Sequence, residues 1–253
     1  MLIKRAYQYE LNPNNVQRTH LSQHAGTARF AYNWGLEQRN TRYREKTGNE
    51  RYTDAIKQHK KLNHLKKTKF SWMYQVSKCA PQEALRDLHR AFQNFFDGMK
   101  GKRPLMGLPK FKKKGVKDSF RLTGVIKVVG KRIQLPRLGK IRTKEKREPY
   151  YKGKILSATV TRRADRWFVA ITIKEKIEIP LNQGDGVGVD LGIKNLAVTS
   201  NGKFIPNPMV LTNRLRKLKR LSRNLSRKEK GSNNQAKARL RLARFHLKVH
   251  TTP

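Results

Sequence analysis

The chain has 253 residues, of which 59 are Lys or Arg and 17 are Asp or Glu, so its formal net charge at pH 7 is +42. Hydrophobic residues make up 36%, enough for a folded core, and the single cysteine excludes an internal disulfide framework and a multi-cysteine zinc finger within these residues. The positive charge runs along the whole chain, which predicts a nucleic-acid partner and argues against a membrane surface, for which one short basic element beside an anchor is typical.

The N-terminal part is predicted to be one strand followed by helices. Alternating apolar residues predict a strand over Leu2–Leu11. Asn12 is expected to be the N-cap of a helix over about Pro13–Lys46. Apolar residues three and four apart predict two further helices, about Asp54–Lys67 and Pro81–Met99. Three successive helices predict a small bundle.

From about Gly98 to Glu178 the pattern is typical of β structure. The candidate strands are Ser119–Val129, Arg132–Leu135, Lys140–Arg142, Leu156–Arg163 and Arg166–Lys174. Short strands at this spacing predict a small barrel or sandwich. The opening strand is expected to join them, with the helices inserted between.

A second β unit is predicted after a linker over about Pro180–Gly186. Gly186–Gly192 predicts a short strand. Asn201-Gly202 is a strong two-residue hairpin signal between Leu196–Ser200 and Lys203–Ile205.

Two basic helices, about Val210–Lys228 and Gln235–Val249, are predicted to pair in antiparallel fashion near the end of the sequence. The segment from Arg214 to Lys248 contains 14 Lys or Arg residues, with Glu229 as its one acid. Such a self-repelling pair is stabilised by lying along a phosphate backbone. An exposed basic helical hairpin is the alternative reading, and the two are compatible. The candidate phosphate contacts here are Arg216, Lys217, Arg220 and Arg223.

The stretch Lys100–Lys152 is also strongly basic, with 19 Lys or Arg against three acids. Interleaved aromatic residues suit phosphate contacts beside stacking faces. For any single aromatic residue, a place in the core is the favoured alternative. The candidate phosphate contacts are Lys110, Lys112, Lys113, Lys114 and Arg121.

Three further residue types carry possible chemistry. Asp190 follows an apolar strand between Gly188 and Gly192, where a carboxylate can hold Mg²⁺ beside a phosphate, although spacing alone favours a turn residue. The seven histidines lack the zinc-protease pattern and are predicted to be surface or base-contacting residues. Cys79, before a predicted helix, is expected to be a structural thiol.

Seven segments, in one order over nearly the whole chain, match a known pattern. They are AYQYELNPN near the start, GTARFAYNWGLE at Gly26–Glu37, ALRDLHRAFQNFF at Ala84–Phe96, LPKFKKKGVKDSFRLT at Leu108–Thr123, IQLPRLGKIR at Ile133–Arg142, GVGVDLGIKNLAVTSNG at Gly186–Gly202 and LSRKEKGSNNQAKARLRLARFHLKV at Leu225–Val249. In these segments the chain resembles the TnpB family, the OrfB-type transposases of insertion sequences, understood as RNA-guided DNA endonucleases related to the type V CRISPR effectors.

The resemblance implies an α+β fold of three parts. A small wedge-type β-barrel would comprise residues 1–11 and 100–180. A helical, helix-turn-helix-like recognition bundle, residues 12–99, would be inserted in it. Residues 186–253 would be the truncated start of an RNase H-like (RuvC) domain, ending in the basic helical hairpin.

By this resemblance Asp190 matches the first RuvC carboxylate, a catalytic and Mg²⁺-binding position that would hold the ion only weakly alone. The second carboxylate, the four-cysteine zinc ribbon and the last carboxylate of the family have no counterpart in the sequence. We therefore expect a shortened TnpB-type transposase that binds DNA and the transposon's guide RNA without cleaving alone, so that enzyme activity stays open. The alternatives are a non-catalytic DNA- or RNA-binding regulator and a generic basic RNA-binding protein. A cytoplasmic, nucleoid-associated location is expected, with no membrane contact.

Overall fold

The computed structural model describes residues 1–48, 53–145, 153–178, 184 and 186–250. The chain divides into two compact units, one over Leu2–Ile177 and the other over Glu178–Pro253 together with Met1. In the described residues the fold is α+β, with a seven-stranded antiparallel sheet, a three-stranded antiparallel sheet and five α-helices. The predicted α+β class is confirmed.

The first unit opens with a strand, β1 (Leu2–Asn12), followed by three α-helices. These are α1 (Asn15–Glu45), α2 (Ala55–Lys66) and α3 (Cys79–Met99), with a 3-10 helix (Ser71–Gln75) between the last two. The strand and the three predicted helices are confirmed, each boundary lying close to its predicted residue.

The N-cap of α1 is Asn14, so the predicted cap at Asn12 is wrong. The Asn14 side chain accepts a hydrogen bond from the Gln17 backbone N–H at 2.8 Å, and the Gln17 side chain accepts one from the Asn14 backbone N–H at 3.1 Å. This reciprocal capping box satisfies two backbone donors. Asn12 instead remains in β1, where it pairs with Arg142.

The large sheet has the strand order β2-β6-β7-β1-β5-β4-β3. Its further strands are β2 (Ser119–Leu122), β3 (Lys127–Val129), β4 (Arg132–Leu135), β5 (Gly139–Thr143), β6 (Lys154–Arg163) and β7 (Arg166–Lys176). β1 lies in the middle, paired with β7 and β5, so the opening strand does belong with the later ones. Among the described strands, β2 and β3 are the two edges and no pairing closes the sheet into a barrel.

The predicted strand Ser119–Val129 is two strands. β2 pairs with β6 and β3 pairs with β4, at opposite edges of the sheet. Gly124 between them has φ +99°, in the region that glycine adopts without a steric cost. The apolar pattern does not reveal such a break, because apolar residues continue on both sides of Gly124, from Phe120 and Leu122 to Val125 and Ile126.

One hydrophobic core joins the three helices to the large sheet. The sequence spacing predicts an apolar stripe on α1 of Leu21, Ala25, Ala28, Tyr32 and Leu36, and all five residues are buried. On α3, Leu85 and Leu88 are fully buried, but the C-terminal half is partly exposed, with Phe96 at 42%. The core therefore fixes the N-terminal half of α3 most firmly.

The second unit contains a sheet of order β10-β9-β8, followed by a helical pair. Its elements are β8 (Val189–Leu191), β9 (Asn195–Thr199), β10 (Phe204–Pro206), α4 (Val210–Ser226) and α5 (Asn233–His250). A hairpin at Asn201-Gly202 is confirmed, with Gly202 at φ +79°, but its connection is longer than the predicted two residues, because Val198 pairs with Phe204 and the Thr199 N–H donates to the Lys203 carbonyl. The sequence spacing predicts an apolar stripe on α5 of Ala236, Leu240, Ala243 and Leu247. Leu247 is buried, but Ala236 is exposed and the buried alanine is Ala238.

Two sequence predictions fall outside the described residues. They are most of the linker over Pro180–Gly186 and the end of the basic stretch, residues 146–152. Within the described part of the chain, none of the helices has the length and apolar character needed to cross a bilayer.

Candidate nucleic-acid interface

The loop between α3 and β2, residues 101–118, carries seven Lys or Arg residues and one acid, Asp118. Two contacts fix it to α1. The Asn33 side chain donates to the Lys112 carbonyl at 2.9 Å and accepts from the Lys112 N–H at 2.8 Å. Arg29 forms an ion pair with Asp118 at 2.7 Å. The backbone of the basic loop is therefore held in place.

Of the sequence-predicted contacts in this loop, Lys110, Lys113 and Lys114 are exposed. Lys112 is different, because its ammonium lies 3.9 Å from the centroid of the Tyr32 ring. Although the residue as a whole is exposed, desolvation of this end lowers the pKa of Lys112, an effect that Asp87 opposes. Lys112 thus already has an aromatic partner within the protein.

Arg121 on β2 is partly buried. Its guanidinium donates to the Ser157 hydroxyl at 3.1 Å, and its Nε lies 4.0 Å from a carboxylate oxygen of the buried Glu83. That Nε is buried and makes no hydrogen bond in the described residues. Arg121 therefore connects β2, β6 and α3, which reduces what it can offer to a phosphate.

The basic face of α4 places the other predicted contacts together. Arg216, Lys217, Arg220 and Arg223 are all exposed. The Lys217 ammonium lies 5.3 Å from the Phe245 ring centroid on α5. The helical pair was predicted, and the two helices do pack together.

Arg220 and Arg223 line a cleft of about 400 Å³ together with Arg227, Lys228 and Asn224. Sequence reasoning did not single out Arg227 and Lys228. The signal was available, because residues three, four and seven apart share one helix face. A cleft lined by four cations and one amide suits a phosphate group.

Asp190 lies in the middle of β8, opposite Val198 of β9, and it is exposed. It is a strand residue, so the alternative reading as a turn residue is wrong. From Gly186 onward the sequence contains one other carboxylate, Glu229, which lies between α4 and α5. Over the described residues, no group of three or more His, Cys, Asp or Glu side chains could hold a metal ion. Carboxylate oxygen suits Mg²⁺, but Asp190 supplies only one ligand.

The prediction that the histidines are surface or base-contacting residues is wrong for His24. This ring is 1% exposed. Its Nε2 accepts a hydrogen bond from the Ser77 N–H at 3.0 Å, which leaves Nδ1 to donate to the His20 carbonyl at 2.7 Å. Desolvation lowers the pKa of His24.

The prediction that Cys79 is structural is confirmed, because this thiol is buried and takes part in two hydrogen bonds. It donates to the Thr123 carbonyl and accepts from the Thr123 hydroxyl.

Comparison with known proteins gives two family matches. Residues 1–48 match the "Helix-turn-helix domain" of OrfB proteins of IS605-type elements, and residues 169–252 match the "Probable transposase" domain of the same proteins. The helix-turn-helix match contains β1 and one continuous helix, α1.

The curated relatives match nearly the whole chain. "Putative RNA-guided DNA endonuclease InsQ" of Escherichia coli K12 is 31% identical over 245 residues, which is 95% of this chain and 58% of that protein. "Putative RNA-guided DNA endonuclease" of Streptomyces pristinaespiralis is 31% identical over 250 residues, 98% of this chain and 60% of that protein. The chain thus spans about three fifths of the length of these relatives.

Among solved structures, a chain of the Cas12f1–sgRNA–target DNA complex aligns with 98% of this chain and 67% of its own length. The identity is 15% and the TM-score is 0.31. The family matches at both ends and the relatives over nearly the full sequence are consistent with one another. The chain belongs to the TnpB/OrfB transposase family of IS605-type insertion sequences.

Proposed function

We propose that this chain binds DNA and the guide RNA of its own insertion element, as the nucleic-acid-holding part of a TnpB-type RNA-guided endonuclease, and that it does not cut DNA by itself. The observation that carries the proposal is the placement of exposed cations on both units. They lie on the fixed loop 101–118 and on the α4 face, where acids are nearly absent. The names of the relatives supply the endonuclease context.

The proposed division of labour follows the family. Residues 1–11 and 100–180 would form the wedge-type domain, corresponding to the large sheet, and residues 12–99 the recognition bundle. Residues 186–253 would be the start of a RuvC-type, RNase H-like domain. Base pairing with the guide would read the target sequence, while the protein binds backbone and helix shape.

The predicted phosphate contacts fall into two groups by their surroundings. Lys110, Lys113, Lys114, Arg216, Arg220 and Arg223 are exposed and are expected to contribute most. Lys112, Arg121 and Lys217 already contact groups of the protein and are expected to contribute less.

Asp190 is the proposed Mg²⁺ ligand of this chain. Two-metal phosphodiester cleavage requires several carboxylates around the scissile phosphate, and the three-stranded sheet offers one. Asp190 would therefore take part in cleavage only when further carboxylates come from elsewhere.

The binding claim is tested with fluorescently labelled RNA from the end of the insertion element. Lys113 and Lys114 are changed together to Gln, and the matched control changes Lys57 and Lys60, two exposed lysines of α2. Log affinity falls with log salt, and each lost phosphate contact makes that slope less steep by about 0.7 for a single strand. The loop variant, which loses two contacts, is therefore expected to have a slope less steep by about 1.4. An equal effect in both variants would contradict a defined loop site.

The cleavage claim is tested by incubating the chain, guide RNA, plasmid target and Mg²⁺ together. No nicking is expected for the natural chain or for Asp190→Ala. Mg²⁺-dependent nicking that disappears in Asp190→Ala would show that this chain cuts without help.

In the binding assay, equal affinity for the element's own RNA and for unrelated RNA would favour a generic basic RNA-binding protein.

A further inference from the structure

A large groove lies in the unit Leu2–Ile177, and its described lining contains no residue of loop 101–118. It has a volume of about 1010 Å³ and runs between the end of α2, the 3-10 helix, the start of α3 and the β4–β5 turn. Four lining side chains are cations: Lys66, Lys67, Lys78 and Arg137. Among the described residues that line the groove, no Asp or Glu occurs. The lining therefore favours an anion.

Lys66 is the unusual member, because it is only 5% exposed. Its ammonium donates to the Asn63 side chain at 3.0 Å, and in the described residues it has no ion pair. Desolvation lowers the pKa of Lys66. Buried ammonium groups are normally paired with a carboxylate, since an unpaired buried charge is costly. The fold thus retains a costly cation with donor capacity to spare.

The surroundings of Lys66 are positive as well. Burial lowers the pKa of His59 first, and the nearby charges of Lys66, Arg86 and Lys78 lower it further. Of these three cations, Arg86 is paired with the buried Glu83 at 2.6 Å. In the described residues, neither Lys66 nor Lys78 forms an ion pair with a carboxylate.

Tyr74 narrows the class of anion. It lines the same groove with 57% of its surface exposed. A phosphate-binding cation beside an exposed aromatic ring is the pattern of single-stranded nucleic-acid sites, in which bases stack on the ring. Free phosphate would use the cations alone and would leave the ring without a role.

We propose that this groove binds one phosphodiester of an unpaired nucleic-acid segment, with Lys66 receiving the phosphate and Tyr74 stacking on an adjacent base. Lys78 and Arg137 flank the phosphate from the groove wall. The inference rests on the proposed nucleic-acid function and adds a site that lies outside its predicted contacts.

The test uses the full chain, a labelled unpaired oligouridine and the variant Lys66→Met, which is one heavy atom shorter and removes the charge. Lys60→Met, an exposed lysine of the same helix outside the groove, is the control. Lys66→Met is expected to lower the salt slope by about 0.7 and to raise the melting temperature of the free protein, because the unpaired charge is gone. Tyr74→Ala is expected to weaken binding roughly 5-fold or more. Lys60→Met should change neither slope nor melting temperature.

The outcomes separate the two proposals. If the natural chain does not bind oligouridine or element RNA, the proposed function fails and this inference fails with it. If the natural chain binds and Lys66→Met has the same slope and affinity, the inference alone is overturned. If inorganic phosphate raises the melting temperature of the natural chain but not of Lys66→Met, while both bind oligouridine equally, the groove takes free phosphate and the nucleic-acid assignment is wrong. If Lys66→Met does not fold, Lys78→Gln, at an exposed lysine of the groove, replaces it. The same loss of steepness in the dependence of oligouridine affinity on salt is then expected.

Discussion

His24 shows how one residue makes the stability of the first unit depend on pH. Its ring connects α1 to the segment before α3, through the Ser77 N–H, and lies 5.2 Å from Phe120. Burial lowers the pKa of His24 below the ordinary value of 6.5, so the unfolded chain binds the proton more tightly. The stabilisation from neutral His24 is therefore complete above pH 6.5 and is lost as the pH falls below it.

We expect the urea concentration at the unfolding midpoint of the natural chain to be lower at pH 5.5 than at pH 7.5. His24→Gln should lower stability by about 2 kcal/mol at the higher pH, since two buried hydrogen bonds and a ring contact are disturbed, and should weaken the pH dependence. The pKa values of His59 and His89 are also lowered by burial, so part of the dependence remains. His64→Gln, at an exposed position, is the control. An unchanged midpoint over this pH range would contradict the argument.

At the residue scale, sequence reasoning recognised the kinds of side chain but not their surroundings. It singled out the lysines of loop 101–118 from their density and Asp190 from the family resemblance, since spacing alone favoured a turn residue there. It missed the burial of His24 and Lys66, since both depend on elements distant in sequence. Arg121 was chosen for its charge, whereas the fold places Glu83 and Ser157 beside it.

Among the elements, the contact between α1 and α3 depends on a glycine. A Cβ at Gly35 would lie 2.6 Å from a methyl carbon of Leu85 and 3.0 Å from one of Leu88, two fully buried side chains. Gly26 occupies the same helix, but a Cβ there would meet only the Arg29 guanidinium, at 3.8 Å. An alanine side chain therefore fits at Gly26 without displacing a neighbour, whereas at Gly35 it would overlap the buried leucine side chains.

The two glycines give opposite predictions for the same substitution. Gly26→Ala should stabilise the chain by about 0.5–1 kcal/mol, because alanine favours the helix. Gly35→Ala should destabilise it by about 1–3 kcal/mol, because overcrowding the core exceeds that gain. Thermal unfolding followed by circular dichroism measures both. A stabilising Gly35→Ala would mean that the helices move apart at little cost.

Element type was predictable where the apolar period was long, as in α1, β6 and β7. The hairpin at Asn201-Gly202 was predictable because Asn-Gly is a strong turn signal, but the length of its connection was not. The break at Gly124 was not, since β2 and β3 are adjacent in sequence but belong to opposite sheet edges. Pairing of β1 with both β5 and β7 was expected only as membership of the sheet, because strand order is set by contacts across the whole unit.

For the whole molecule, the net charge of +42 sets the response to salt. Few acids are present to offset the cations, so the folded chain repels itself. Raising the ionic strength from about 0.01 M to about 0.15 M shortens the Debye length from about 30 Å to about 8 Å, which screens that repulsion. The melting temperature of the free protein should therefore rise with salt.

The nucleic-acid complex should respond in the opposite direction. Bound phosphates already neutralise the cations, and added salt releases the ligand because counterion release drives its binding. The melting temperature of the complex should consequently fall over the same salt range and converge on that of the free protein. Scans of both forms in sodium chloride, which avoids the stabilising effect of sulfate, measure this crossover. If both forms rose together, nucleic acid would not be replacing salt as the counterion, and the distributed cations would need another explanation.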